Sequence, residues 1–293
     1  MGATSALGGI ALTGLTGCAG RTEAGSASGE DGAPPADKYY EIAVGSFHNG
    51  MLEDAKAQIR SALRADENHA DSLYLLGVIL LHEGKSMVDA VESEMCLTDA
   101  AAGNQRLRAD ELHREAHDAF ERASKAYEEH EPGRGRAFNS MAVVSLHFQE
   151  YDRAIEEATK SLDVQFYTER YSALSNLGWA YYKRGDNVEA MTELRQAVMF
   201  NPDYCVGRYR LAQVYLDADL NEQAAEEISR VIADERCPIQ DAHRLYGVAS
   251  LRMGQGGEAG AAFDACVALA PRSCLASECQ RFSQLAAADA PGN

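Results

Sequence analysis

The chain has 293 residues, is 46% hydrophobic and carries a formal net charge of −18, with 45 acidic against 27 basic residues. Such a balance leaves no clustered Lys/Arg footprint for a nucleic-acid backbone, and an acidic surface disfavours acidic partners. Proline is scarce, Ala, Leu, Glu and Arg are common as helices require, and no segment has the roughly 20 apolar residues of a membrane-spanning helix.

Residues 6–17 form a short apolar run closed by small residues, the build of a secretory signal. Leu15-Thr16-Gly17-Cys18 resembles the bacterial lipobox. That resemblance implies removal of residues 1–17, lipidation of Cys18 and a membrane anchor, and Ala19 after the lipidated position implies the outer membrane. Residues 18–35 are rich in Gly, Ser, Ala and Pro without apolar periodicity and are expected to form a flexible tether.

From Ala36 to about Arg272 the chain sets out six helix-turn-helix units. The first runs from Ala36 to His69 on Ile42, Ala43, Ala55, Ile59 and Ala62, with Gly50 turning between its helices. The second opens with Leu73, Leu76 and Gly77, but Ala116, Phe120 and Ala123 of its second helix fall about 27 residues late for the period. The segment 84–112 is therefore an insertion, expected to extend the helical hairpin or cover one edge, with Met87, Val88, Val91, Met95, Leu97 and Leu107 among polar residues. The third unit has Met141, Ala142, Ala154 and Ala158. The fourth has Leu174, Leu177, Gly178, Tyr181, Ala190, Leu194, Ala197 and Pro202. About 34 residues on, Leu211, Ala212, Tyr215, Ala224, Ile228 and Val231 take the corresponding places, followed by Tyr246, Gly247, Ala259, Phe263, Cys266 and Pro271. Residues 273–288 are expected to form a helix capping the last apolar edge, as solenoids require.

A small residue recurs wherever two helices must touch closely, with a bulky apolar residue just before it. This resembles the tetratricopeptide (TPR) repeat at several positions per unit. The resemblance implies an all-α, right-handed TPR superhelix, an α-solenoid whose stacked units leave a concave groove for another chain.

In that geometry His48, His82 and His147 fall at one place, near the end of the first helix of units one to three, each preceded by an apolar residue: Phe47, Leu81, Leu146. Tyr40, Tyr74 and Asn139 lie one to two turns earlier on the same face, and Trp179, Tyr182, Tyr209 and Leu216 continue it. One reading is a partner-binding stripe facing the groove; the other is an ordinary amphipathic edge. Neighbouring helices pack roughly 8–10 Å apart, so the three histidines cannot converge on one metal whose bonds to nitrogen are about 2 Å. His113 and His117, four apart, resemble a zinc-protease helix only superficially because Glu115 is one place late; a solvated helix face is expected there. Gly254 to Gly257 reads as a hairpin turn. Neither a phosphate-cradling loop, a nucleophile elbow nor a paired acid site is present, so no enzyme, cofactor, metal or small-molecule substrate is called for.

Of seven cysteines, six remain if Cys18 is lipidated, an even number suited to an oxidising compartment. An antiparallel hairpin brings Cys205 and Cys237 together, which allows a bridge contributing about 2–4 kcal/mol. Cys266, in the last repeat helix, and Cys279, in the cap, form a second candidate pair. Cys96 and Cys274 remain unassigned, and Cys274 with Cys237 is a rival to the first pair.

Lipobox, tether, six repeats, an insertion and a Cys-bearing cap together resemble one family, the outer-membrane TPR lipoproteins of type IV pilus biogenesis. These include the PilF/PilW-type pilotins and Tgl, which the tail Cys266 to Phe282 resembles most. The resemblance implies a protein at the periplasmic face of the outer membrane that binds secretin subunits and assists assembly of the secretin pore. The alternative is a periplasmic TPR scaffold for envelope or cell-wall enzymes.

Overall fold

The computed structural model describes residues 34–91, 96 and 100–288; the lipobox, Cys18 and nearly all of the tether lie outside the described residues. The described chain is helical and pairs its helices in sequence. The pairs are α1 (Ala36–His48) with α2 (Leu52–Ala65), α3 (Ala70–Asp89) with α4 (Ala100–Ala126), and α5 (Pro132–His147) with α6 (Tyr151–Asp163). Then come α7 (Arg170–Arg184) with α8 (Asn187–Phe200), α9 (Cys205–Asp217) with α10 (Asn221–Ile232), and α11 (Gln240–Arg252) with α12 (Gly256–Leu269). A last helix, α13 (Cys274–Ala288), has no partner of its own and packs on α12 and α11. No sheet forms among the described residues.

The two helices of a pair differ in burial for a physical reason. In α2 only the stripe Ala55, Ile59 and Ala62 is buried, with Glu53 and Asp54 in the first turn and Arg64 in the last, so charge complements the helix dipole at both ends. In α7 nearly every residue from Ser172 to Ala180 is buried. Each first helix touches its own partner, the second helix of the preceding pair and the first helices of its neighbours, whereas successive second helices make no comparable contact among the described residues. Closer approach of the first helices means that they form the inner, concave layer.

Glycine allows that approach. A Cβ at Gly178 would lie 2.8 Å from Leu194 Cγ, and one at Gly247 2.5 Å from Phe263 Cε1; each partner stands sixteen positions on. At Gly77 the same contact, 2.6 Å, is made with Phe120 Cε1, forty-three positions on. The inserted segment thus separates the two halves of one ordinary helical pair. Its described residues are largely helical: α3 has 20 residues and α4 has 27, against 12 to 16 in the others, and Val91, Ala102, Ala109 and Leu112 are buried. At the end of α7, Gly185 adopts φ +103° and its N–H caps the carbonyls of Tyr181 and Tyr182, a conformation costly for any residue with a Cβ.

The cap buries Ala286 and stacks Phe282 on Phe263 with ring centroids 5.3 Å apart, covering the edge the last pair would otherwise expose. Three disulfides join Cys205 to Cys237, Cys266 to Cys279, and Cys96 to Cys274. The rival pairing of Cys274 with Cys237 is not formed: the inserted segment brings Cys96 to the start of α13, and Cys237 sits against Cys205.

Candidate functional site: the concave groove

The first helices of the first five pairs converge on one cavity of about 310 Å³. Of the expected stripe it gathers Phe47, Tyr74, Leu81, His82, Asn139 and His147, and adds Arg136, Glu169 and Arg210. His48, Leu146, Tyr40, Trp179 and Tyr182 do not line it. His48 is exposed beside Phe47, Tyr40 packs on the His69 ring at 5.6 Å, and Tyr182 stacks near Trp179 at 4.9 Å while its hydroxyl donates to Asp217. Burial and nearby Asp71 push the Tyr40 hydroxyl up to about 12.

Leu81 and Tyr74 serve two purposes. They face the cavity, yet only 6% and 9% of their surfaces remain exposed because both belong to the core shared by α3, α4 and α5. Truncating Leu81 would therefore cost core stability, about 2–5 kcal/mol. Phe47 and His82 are half-buried and suit tests of the groove better.

A directed chain of hydrogen bonds runs along the groove floor. Arg210 Nη1 donates to Ser175 Oγ at 3.0 Å and to Asn176 Oδ1 at 2.8 Å. Asn176 Nδ2 donates to Asn139 Oδ1 at 2.8 Å, and Asn139 Nδ2 donates to Ser172 Oγ at 3.1 Å. Each amide oxygen is used, so the Arg210 guanidinium is held in place over the Trp179 ring, 5.4 Å from its centroid. Arg136 lies 5.7 Å from the Tyr74 ring centroid. Burial pulls Arg210 below the ordinary arginine value; burial also acts against Arg136, but Tyr74, Tyr127, Glu169 and Asp71 leave it above. Burial raises the Glu169 carboxyl, with Arg136 opposing. Arg136 and Arg210 went unrecognised in the sequence. The available signal was position: Arg136 is one turn before Asn139, and Arg210 is one repeat after Asn176.

His113 and His117 do not form a solvated face. They are 4% and 5% exposed, because the lengthened α4 turns them against α5 and α6. His113 Nδ1 is 2.6 Å from the Ala109 carbonyl and so carries a proton, while its ring stacks on His147 at 4.0 Å. Glu157 lies 2.8 Å from His117 Nε2 and accepts from Ser145 Oγ at 2.6 Å and Arg153 Nε at 3.0 Å. His117, Asp118 and Glu121 bring donor atoms within 4.8 Å of one another, but Arg153 Nη2 already stands 3.2 Å from His117 Nδ1 and 2.8 Å from its Nε2.

Burial lowers the His113 value, with stacked His147 and Lys85 acting in the same direction and the Ala109 carbonyl and Asp110 against it. The unfolded chain then takes up this proton more readily, so folded stability holds above the ordinary value of 6.5 and falls as pH drops below it. Unfolding curves between pH 7.5 and pH 5 should show a falling midpoint, and His113→Phe should flatten that decline. An unchanged slope in the variant would assign it to other groups.

Two tetratricopeptide-repeat families match the chain, one over residues 171–204, the other over 47–93 and 209–273. The molecule is an all-α TPR-like solenoid of about six repeats closed by a C-terminal helix, an architecture typical of non-enzymatic scaffold proteins. PilF of Pseudomonas aeruginosa is similar in structure, with a TM-score of 0.59 at 16% identity over 84% of this chain and 96% of that one. So is PilW, described as a widely conserved type IV pilus biogenesis factor, with a TM-score of 0.62 at 15% identity over 83% and 97%. Cut9 of the APC/C, in its hetero-tetramer with Hcn1, gives 0.65 at 12% identity over 86% of this chain but 43% of its own. Superkiller protein 3 of Schizosaccharomyces pombe is 24% identical over 211 residues, 68% of this chain, which spans only 15% of that protein's length. At these identities the likenesses show the fold alone.

Proposed function

We propose that the chain is a non-catalytic interaction scaffold whose concave groove holds a segment of a partner protein. The observation that carries this is one cavity to which the first helices of five successive repeats all contribute, apolar at Phe47 and Leu81 and polar at Asn139, His82 and Arg210. A surface of that length and mixed character suits an extended or helical segment better than a compact small molecule.

In its narrower form the partner is a secretin subunit and the scaffold assists secretin assembly at the outer membrane. Support comes from the lipobox-like Leu15-Thr16-Gly17-Cys18 and from the likeness to PilF and PilW, which covers 84% and 83% of this chain and nearly all of theirs. A lipid on Cys18 would hold the groove beside the membrane and raise the effective concentration of partner, so that modest intrinsic affinity suffices. The broader form is a scaffold for other envelope proteins.

Pull-down from envelope extracts separates these. Wild type should recover the secretin, and a Phe47→Ala, His82→Ala double variant, assayed well below its own unfolding midpoint because Phe47 also packs on two core clusters, should recover about tenfold less. Recovery of a different envelope protein, lost in the variant, would support the broader form. Equal recovery by both proteins would place the binding face outside the groove.

A further inference from the structure

The charge of the groove floor runs against that of the whole chain. Among 45 acidic and 27 basic residues, most cations should find a carboxylate, and many do, as in Lys56 with Glu83 and Arg184 with Asp152. Arg136 and Arg210 are different. Both line the central cavity, and among the described residues neither makes an ion pair within 4.0 Å. Arg136 makes no hydrogen bond to any described residue, while Arg210 spends only its Nη1 donors, on neutral Ser175 and Asn176. Lys85, His82 and His147 line the same cavity, and Glu169 is the one carboxylate among its lining residues.

Arg210 is withdrawn from water with no carboxylate beside it, a cost that a bound anion offsets, while Arg136 has Glu169 and Asp71 near it but neither within ion-pair reach; guanidinium is suited to carboxylate by its planar, forked donors. The Asn139–Asn176–Arg210 chain fixes one such fork before any ligand arrives, which limits the ordering cost of binding. We infer that the groove takes an acidic segment of its partner, seating a side-chain carboxylate in the cavity that Arg136 and Arg210 line. This rests on the reading of the groove as a peptide-binding surface. Glu169 then acts as a selectivity residue: it repels a second carboxylate and sets how acidic the segment can be.

The test uses the full chain and a fluorescein-labelled decapeptide of alternating Asp and Ala, read by fluorescence anisotropy, with the Asn/Ala peptide as isosteric control. The Asp peptide should bind about tenfold or more tightly than the control, with the difference shrinking at about 0.5 M salt. Arg136→Gln should weaken binding about tenfold, and it disturbs no hydrogen bond, so folding is preserved even if Arg210→Gln proves unstable. Glu169→Gln should tighten binding, a change that a purely structural role for these residues would not produce. Equal affinity for both peptides, no binding of either at about 1 mM, or wild-type affinity in Arg136→Gln overturns the inference. Envelope pull-down separates this failure from failure of the scaffold reading. Arg136→Gln recovering the partner normally, while Phe47→Ala, His82→Ala does not, removes the acidic specificity and leaves the groove.

Discussion

Breaking the Cys96–Cys274 bridge by a Cys96→Ser, Cys274→Ser change is expected to destabilise the protein more than removing either other disulfide. In a solenoid each repeat touches only its neighbours, so the second pair and the cap otherwise share no extensive contact. The bridge joins residues 178 apart in sequence, against 32 for Cys205–Cys237 and 13 for Cys266–Cys279. Treated as loss of chain entropy in the unfolded state, these closures contribute about 5, about 3.5 and about 3 kcal/mol. The ordering is the test, because absolute values vary with residual structure in the unfolded chain. Urea unfolding of the three double variants should give the lowest midpoint for Cys96 with Cys274, and reductant should lower the wild type below any of them. The bridge should also make unfolding more cooperative, since it links repeats that could open separately. A Cys96, Cys274 variant as stable and as cooperative as the others would show that the unfolded ensemble already brings these residues together.

The legible parts of the fold were those decided locally. Gly178 with Leu194, and Gly247 with Phe263, repeat at one spacing, and Ala116, Phe120 and Ala123 restore the pattern after the insertion. Helix pairing, the unmatched α13 and the hairpin closing Cys205 near Cys237 follow from that period. What depends on how the pairs curve was not legible. Cys96 meets Cys274 only because the inserted segment reaches the start of α13, and no spacing rule encodes that reach. His113 and His117 read as exposed by helical pattern alone, but the longer α4 presents them to His147 and Glu157. The groove was partly legible through Phe47, His82 and Asn139. Its cations were hidden by the net charge of −18, which averages over a surface and says nothing of a floor where two arginines share the lining with a single carboxylate, Glu169.

Phe120 tests whether the insertion truly interrupts a standard pair. It is fully buried, its ring lies 5.5 Å from that of Tyr74, and it fills the space in front of Gly77. Phe120→Ala should cost about 3–5 kcal/mol, from lost transfer energy together with the cavity left behind. Gly77→Ala alone should also destabilise, although alanine is the better helix former, because its methyl would sit 2.6 Å from Phe120 Cε1 and force the ring to shift. That overpacking costs about 1–3 kcal/mol and outweighs the roughly 1 kcal/mol gained in helix propensity. Combined, the two changes should not add. With the ring gone the new methyl occupies part of the cavity, so Gly77→Ala should become neutral or stabilising in the Phe120→Ala background. The coupling should exceed the roughly 0.5 kcal/mol within which distant sites add. Gly247 and Phe263 offer the same cycle within an uninterrupted pair, where the Cβ would stand 2.5 Å from the ring. Similar coupling in the two cycles would mean that Gly77 and Phe120 hold equivalent places despite the residues between them. Additive behaviour at Gly77 and Phe120, with coupling at Gly247 and Phe263, would mean that the insertion has displaced α4 from its repeat position.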